Sequence, residues 1–276
     1  RTRVVGFFSY SGGLPVKLLK YVMTHDTGLA PNPYFGVCSL AVCTPNHMNA
    51  NLQVGDWVLG HTTAATGRRL VYAMRLTRVL DMPTYFREFP KKRPKVNGGP
   101  DERCGDNIYD FREGHWIRTP SALHNDPMAF KQDQNRKVYL AEGDENFWYF
   151  GGLNPNSFVL EFADRFRNLV RDRQGFSYID DETTIRDFTN WLAQVSTPGC
   201  RGTPRDSFLA LDKRYLIQIE PSERWISHEE LGPASQTDVK TKLMEMGAQH
   251  MQTSCRKSSS GCESPPSLVT KRRGCS

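Results

Sequence analysis

The sequence has no apolar run that approaches the roughly 20 residues needed to cross a bilayer, and no signal-peptide pattern follows its opening residues. We therefore predict no membrane partner and an intracellular location, in the cytoplasm or the nucleus. The seven cysteines are an odd number at irregular spacings, and no two of them form the CxxC pair typical of zinc ribbons. We expect reduced thiols and no metal, and the residues themselves require no cofactor.

The motifs of several common enzyme classes are also missing. The chain has no GxxxxGK[ST] phosphate loop, no GxSxG elbow, no HExxH pair and no GxGxxG turn after a strand. These absences argue against a standard ATPase, serine hydrolase, zincin or Rossmann enzyme.

The composition is that of a soluble globular chain with a local excess of positive charge. Of its 276 residues, 38% are hydrophobic, and the net charge is +6. The stretch 68–103 holds ten Lys and Arg against four Asp and Glu, which is 10 − 4 = +6. Such a run is either solvated loop surface or a site for polyanions. In the second interpretation the phosphate-binding residues are Arg68, Arg69, Lys91, Lys92, Arg93 and Lys95.

The order of patterns predicts an α+β fold with a β-rich body followed by a helical annex. Period-two and short apolar runs predict strands at residues 4–10, 17–24, 34–43, 57–62, 69–80, 137–142, 147–151 and 214–219. Apolar residues three and four apart predict helices at residues 157–173 and 181–195. We expect a domain over residues 1–175, an annex over 176–232 packed on it, and a disordered basic tail over 233–276.

Two polar clusters in the β-rich half are candidates for chemistry. The first is the loop 25–38, where Pro and Gly residues stiffen a segment that carries His25, Asp26 and Asn32 before Phe35. The second is the Gly-Asp-Asn turn of residues 105–107, which is followed by Tyr109 and, later, by His124. In each cluster the polar side chains either form hydrogen bonds to nearby backbone groups that stabilise a turn, or they line the rim of a binding pocket.

A run of four aromatic residues at 147–150 adds a possible stacking surface. On a strand, Trp148 and Phe150 share one face, and Phe147 and Tyr149 share the other. One face is expected to be core, and the other could stack on a planar ligand together with Trp57.

The same segments resemble a known family, the nucleotide modification associated domains, and in particular the second family of that name. The resemblance rests on YVMTHDTGLAPNPYFGVCSLAVC at 21–43, VGDWVLG at 54–60, LVYAMRLT at 70–77, GDNIY at 105–109 and the segment 138–152 that ends in YFGG. It implies a role around modified nucleotides without implying a particular reaction. A looser likeness to the EVE, ASCH and YTH domains implies a PUA-like mixed or antiparallel β-barrel with a helical C-terminal annex.

Three functions remain open from the sequence. The leading hypothesis is a domain that holds a nucleotide or a base of a nucleic acid, with DNA favoured, in an aromatic and polar pocket. Its ligand-binding residues would be Asp26, Asn32, Phe35, Trp57, Asp106, Asn107, Tyr109, Trp148 and Phe150.

The first alternative is a nucleotide-modifying or hydrolysing enzyme. Its catalytic candidates are His25, Asp26, Asp106 and His124, because these residue types carry acid and base chemistry. Cys38 fits a small core residue better than a nucleophile, since apolar residues flank it. The second alternative is a non-catalytic interaction module. The oligomeric state is not predicted by any of these patterns.

Overall fold

The protein was analysed as a computed structural model that describes residues 15–42, 50–95, 97–121, 124, 133, 136–206 and, as backbone alone, 224–226. The described residues belong to one compact unit within residues 1–230. The predicted strands at 4–10 and 214–219 and the predicted tail at 233–276 lie outside the described residues. In the described ranges, no helix is long and apolar enough to cross a membrane.

Twelve strands and four α-helices are found in the described residues. The strands are β1 (Leu18–Met23), β2 (Val37–Leu40), β3 (Trp57–Thr62), β4 (Leu70–Arg75), β5 (Arg78–Asp81), β6 (Tyr109–Arg112), β7 (His115–Arg118), β8 (Lys137–Glu142), β9 (Phe147–Tyr149), β10 (Phe176–Ile179), β11 (Gly199–Cys200) and β12 (Arg224–Ile226). The helices are α1 (Met82–Glu88), α2 (Pro100–Arg103), α3 (Ser157–Arg165) and α4 (Glu182–Val195).

Six strands form the main sheet, in the order β10-β1-β3-β4-β9-β11. The pairs β1–β3 and β9–β11 are parallel, and the other pairs are antiparallel. Residues after 175 therefore supply two strands of this sheet, β10 at one edge and β11 at the other. The domain boundary at residue 175 stays a prediction, but the annex shares a sheet with the body.

The main sheet has a separate core on each face, because successive side chains along a strand point to opposite sides. Leu19 and Val58 pack on one face with residues of the small sheet β2-β8-β5, such as Tyr139. Leu18 and Leu59 pack on the other face, against apolar side chains of α3 and α4. The helices thus cover one face of the sheet, as in other α+β domains.

The helix predictions are confirmed, with a shorter α3. The N-cap Asp181 of α4 accepts the backbone N–H of Thr184 at 3.0 Å, in agreement with the acidic start read from the sequence. Helix α3 ends at Arg165, and a 3-10 turn at Arg167–Leu169 follows. Leu169 is fully buried in that turn. The apolar residue that predicted a longer helix is therefore part of the core, but the backbone there is a 3-10 turn and not an α-helix.

The predicted barrel is not confirmed. The long strand expected over residues 69–80 is divided into β4 and β5 at Leu76 and Thr77. Strand β4 pairs with β9 in the main sheet, whereas β5 pairs with β8 in the small sheet. The chain passes from one sheet to the next at this point, and the strand pairs of the described residues do not close a ring. The fold is mixed α+β with three sheets, the third being β12-β7-β6.

Candidate functional site

Asp26 lies in the polar loop that leads into β2, and its carboxylate is buried and hydrogen-bonded on both oxygens. The Tyr149 hydroxyl donates to Oδ1 at 2.6 Å, and the backbone N–H groups of Gly152 and Arg205 donate to Oδ2 at 2.7 Å and 3.2 Å. Burial raises the pKa of Asp26 above its ordinary value, and these hydrogen bonds oppose the rise. Asp26 thus ties the loop to the end of β9 and to the chain beyond β11.

A second group of polar side chains, the buried polar cluster, lies between this loop, α1 and the turn after α2. Its carboxylate is Asp106, whose two oxygens accept the Ser39 and Tyr85 hydroxyls at 2.7 Å each. Burial raises the pKa of Asp106, and the charge of Lys92 opposes the rise. The cluster consists of Asn32, Ser39, Tyr85, Lys92, Asp106 and Asn107, all of which are buried.

Lys92 is an internal residue of this cluster. Its ammonium group donates to three carbonyl oxygens, namely Asn32 Oδ1 at 2.6 Å, the Asn32 backbone oxygen at 2.9 Å and the Val37 backbone oxygen at 2.6 Å. An ammonium has three donors, so all of them are used. Burial lowers the pKa of Lys92 to about 8, and the Asp106 carboxylate opposes that shift. In this structure Lys92 is not available for the phosphate contact predicted from the basic run.

Asn32 and Asn107 bond to the backbone around the same cluster. Asn32 Nδ2 donates to the Cys104 carbonyl at 2.7 Å. Asn107 Nδ2 donates to the carbonyls of Tyr85 and Phe89, at 3.0 Å in both cases. Because these carbonyls belong to the last turn of α1 and the residue after it, Asn107 closes the C-terminal end of that helix. The turn interpretation of the Gly-Asp-Asn segment therefore agrees with the contacts.

The four catalytic candidates belong to separate groups of contacts. Asp26 and Asp106 bond to the partners given above. His25 is exposed, with Nδ1 3.8 Å from a carboxylate oxygen of Asp206. His124 is buried, and its Nε2 lies 2.6 Å from Asp133 Oδ2. Cys38 is fully buried, and burial raises the pKa of its thiol well above its ordinary value, as befits a core residue.

The aromatic residues predicted to stack on a ligand lie in the core. The rings of Trp57 and Trp148 stack on each other with centroids 6.1 Å apart, and the Trp148 indole N–H donates to the Ser196 carbonyl at 3.1 Å. Phe150 is 1% exposed and contacts Phe158 edge-on. The sheet face that carries these three rings is covered by α3 and α4. The rings could stack on a ligand only if they became exposed. Tyr109 is buried beside His124, whereas Phe35 is 39% exposed.

Most of the other predicted phosphate contacts are already engaged with protein groups. Lys91 is exposed and is the member of this set best placed to meet an external anion. The remaining positions are Arg68 paired with Asp172, Arg69 directed at the Asn154 carbonyl, Lys95 paired with Glu102, and Arg93 stacked 3.9 Å above the Phe86 ring centroid.

A large open groove lies elsewhere on the molecule, with a volume of about 1010 Å³. The groove is formed by the loop before β3, the junction of β5 with α1, the β6–β7 hairpin and the start of β8. Its lining residues are Leu52, Gln53, Val54, Val79, Leu80, Asp81, Met82, Pro83, Thr84, Arg87, Phe111, Trp116, Arg136 and Lys137.

The β6–β7 hairpin supplies the aromatic wall of the groove. Its turn residues, Glu113 and Gly114, both have positive φ, at 52° and 83°. This is the type I′ geometry that suits a two-residue hairpin loop, and glycine adopts it without strain. The register places Phe111 opposite Trp116, and their ring centroids are 5.1 Å apart in an edge-to-face contact. Trp116 is buried and supports Phe111, which is 42% exposed.

The described lining of the groove includes more positive than negative residues. Its cations are Arg87, Arg136 and Lys137, and its carboxylate is Asp81. Arg136 is paired with Asp133, and Arg87 and Lys137 are exposed. Asp81 is the N-cap of α1 and accepts the Thr84 N–H at 2.7 Å, which lowers its pKa. The groove therefore combines an apolar floor with cations and one exposed ring.

Asp133 links Arg136 to His124 behind the groove. Its Oδ1 lies 3.1 Å from Arg136 Nη1, and its Oδ2 lies 2.6 Å from His124 Nε2. The Arg136 side chain is only 8% exposed, so this chain of contacts holds the guanidinium at the groove wall. His124 thus contributes to the groove indirectly, through Asp133.

The groove was not predicted from the sequence, and its residues Phe111, Trp116, Arg87, Arg136 and Lys137 were not among the predicted site residues. The Glu113-Gly114 pair, with Phe111 two residues before it and Trp116 two residues after it, was the available indication of a hairpin. The convergence of the hairpin with α1 and β8 depends on long-range pairing that local patterns do not contain.

In the described ranges, no group of three or more His, Cys, Asp or Glu side chains is placed to hold a metal ion. The family described as nucleotide modification associated domain 2 matches residues 16–210, which include every described groove and cluster residue. No curated protein and no solved structure matches the chain.

Proposed function

Because the chain belongs to the nucleotide modification associated domain 2 family, we propose that it binds a nucleotide or nucleic acid through the groove between α1 and the β6–β7 hairpin. The observation that carries this proposal is the exposed Phe111 ring, supported by Trp116, in a groove whose described lining includes the exposed cations Arg87 and Lys137. The family description links the domain to nucleotide modification, and DNA is the favoured source of the ligand.

The groove offers the two interactions that nucleotides use most. A base that stacks on an aromatic side chain gains on the order of 1 to 3 kcal/mol. Phosphates are attracted by Lys and Arg, and each contact releases counterions, which makes the affinity depend on salt. Phe111 would accept the base, and the exposed cations Arg87 and Lys137 would face the phosphates.

The buried polar cluster supports one wall of this site. Asp106 holds α1 through Tyr85, and Asn107 closes the C-terminal end of the same helix. Helix α1 contributes Met82, Pro83, Thr84 and Arg87 to the groove lining. In this proposal the family-specific turn 105–109 acts as the scaffold for the groove and does not touch the ligand.

The enzymatic alternative has less support. Acid and base catalysis needs groups within hydrogen-bond reach of one reacting centre. The contacts of Asp26, Asp106 and His124 are with different structural partners, and His25 lies on the surface. The PUA-like likeness and the intracellular location stay predictions, as does the absence of a cofactor.

A salt titration of binding tests the proposal. We expect a labelled oligonucleotide to bind the full chain more weakly as salt rises. The negative slope of log K against log salt should decrease in magnitude by about 1 for each groove cation removed. The variants are R87Q and K137Q, and the matched controls are R173Q and R186Q, which change exposed cations outside the groove. An unchanged slope in both groove variants, or no binding at low salt, would refute the proposal.

A further inference from the structure

The size and form of the groove separate three candidate ligands, namely a free nucleotide, a duplex and an unpaired strand. Pockets for small ligands have volumes of about 300 to 1,000 Å³ and enclose most of the ligand surface. The groove lies at the upper end of that range, at about 1010 Å³, and is open to solvent. An open groove of this volume suits a polymer that passes through it better than a single nucleotide.

The position of Phe111 argues against a duplex. Its ring is 42% exposed, and its edge contact with Trp116 leaves ring surface accessible from the groove. A base inside a duplex is already stacked on both faces, so it cannot also stack on a protein ring unless it is extruded. A base of an unpaired strand has its face available.

The groove floor leads to the same conclusion. It is lined by Leu52, Val79, Leu80 and Met82, which offer no hydrogen bonds to base edges. Duplex recognition in the major groove depends on such hydrogen bonds. Apolar side chains instead suit the faces of bases and sugars, which a single strand exposes.

The cations lie on two different walls. Lys137 is in β8, directly opposite Asp81 in the antiparallel register, and Asp81 immediately precedes α1. Arg87 is five residues after the first residue of α1, which corresponds to about 7.5 Å along the helix axis. Arg87 and Lys137 are thus separated enough to meet different phosphates of one strand.

We infer that the groove binds an unpaired single strand of nucleic acid, with one base against Phe111 and neighbouring phosphates at Arg87 and Lys137. This inference rests on the proposed function and specifies its ligand. The strand would lie over the apolar floor formed by Leu52, Val79, Leu80 and Met82.

A competition experiment with the full chain tests the inference. The probes are a single strand of about 12 nucleotides as DNA and as RNA, the duplex of the same sequence, and the corresponding 5′-mononucleotides. We expect at least one single strand to bind on the order of ten times more tightly than the duplex or the mononucleotides. F111A is expected to weaken that binding about 5- to 150-fold. F111L keeps the apolar volume and should recover little of the loss, because Leu has no ring on which a base can stack.

Each outcome separates the inference from the proposed function. If the duplex or a mononucleotide binds as tightly as the single strand, the inference fails and the proposed function stands. If no probe binds at low salt, the proposed function fails as well. L160A, which truncates a similarly exposed side chain on α3, is the control for nonspecific effects. A loss in L160A equal to that in F111A would also overturn the inference.

Discussion

Lys92 donates hydrogen bonds to both carbonyl groups of Asn32, the side-chain oxygen at 2.6 Å and the backbone oxygen at 2.9 Å. One buried ammonium thereby fixes the position of a loop residue 60 positions earlier in the chain. The loop that carries Asn32 also carries Asp26, and the two residues join it to different parts of the fold. These internal bonds account for the polar residues of the loop without a ligand.

Replacing Lys92 with Met should destabilise the fold strongly. Met keeps a similar length but removes the Lys92 donor from three carbonyl oxygens and removes the cation next to Asp106. Breaking one partner of a buried charged group reduces the free energy of unfolding by about 3 to 5 kcal/mol. Urea denaturation followed by circular dichroism measures this change.

Lys91 provides the matched control for that variant. It is the exposed neighbour of Lys92 in the sequence, and K91M should leave the urea midpoint almost unchanged. Equal midpoints for K92M and K91M would show that the buried ammonium does not stabilise the fold as described.

His61 makes stability depend on pH in a defined window. Its Nε2 accepts the Arg171 N–H at 3.0 Å, and its Nδ1 lies 2.8 Å from the Thr62 carbonyl, so the ring must be neutral with its proton on Nδ1. Burial lowers the pKa of His61 below its ordinary value of about 6.5. Below that pH the unfolded chain binds a proton that the folded chain does not, and stability falls until the lower folded pKa is reached.

A comparison with H61Q isolates this effect. The difference in the free energy of unfolding between wild type and H61Q should be constant above about pH 7 and should shrink as the pH falls below about 6.5. Urea titrations at several pH values measure it. H25Q removes an exposed imidazole and is the control for the loss of a surface histidine. If the difference in the free energy of unfolding between wild type and H61Q does not vary with pH, the His61 ring is not held neutral in the folded chain.

Asp26 should prove structural when it is changed to Asn. The new amide group keeps one acceptor oxygen, so at least one of the donors from Tyr149, Gly152 and Arg205 loses its partner. A buried donor without a partner costs about 1 to 3 kcal/mol, which thermal and urea unfolding would detect. D172N changes an exposed carboxylate on the surface and should have little effect. If D26N keeps wild-type stability but abolishes nucleic-acid binding, Asp26 belongs to the site and not to the scaffold.

Local patterns were sufficient for the elements whose structure depends on near neighbours. The strands at Trp57–Thr62 and Lys137–Glu142 were predicted with the bounds that the structure has. The apolar spacing of α4 and its acidic start also correspond to the structure. The apolar periodicity that predicts an element depends on residues within about two turns of a helix or a few positions of a strand. These elements could be predicted because all of those residues lie within the element itself.

The site could not be predicted because it depends on contacts between distant segments. Trp148 and Phe150 share a face as predicted, but the packing of α3 and α4 decides that this face is core. Lys92 belongs to a basic run, and only the position of Asn32, 60 residues away, shows that it points inward. Phe111 becomes part of a groove because the hairpin lies beside β5 and α1. The sequence contains these residues but does not indicate which segments meet.

We propose that the groove, and not the polar loop of residues 25–38, contacts the ligand. Two exposed phenylalanines separate these sites, because Phe111 lies in the groove and Phe35 lies in the loop, with similar exposure of 42% and 39%. The direct test is the affinity of F111A and F35A for a labelled single strand of about 12 nucleotides at low salt. We expect F111A to lose affinity by about 5-fold or more and F35A to keep an affinity close to wild type. If F35A loses affinity and F111A keeps the wild-type affinity, the ligand contacts the loop and not the groove.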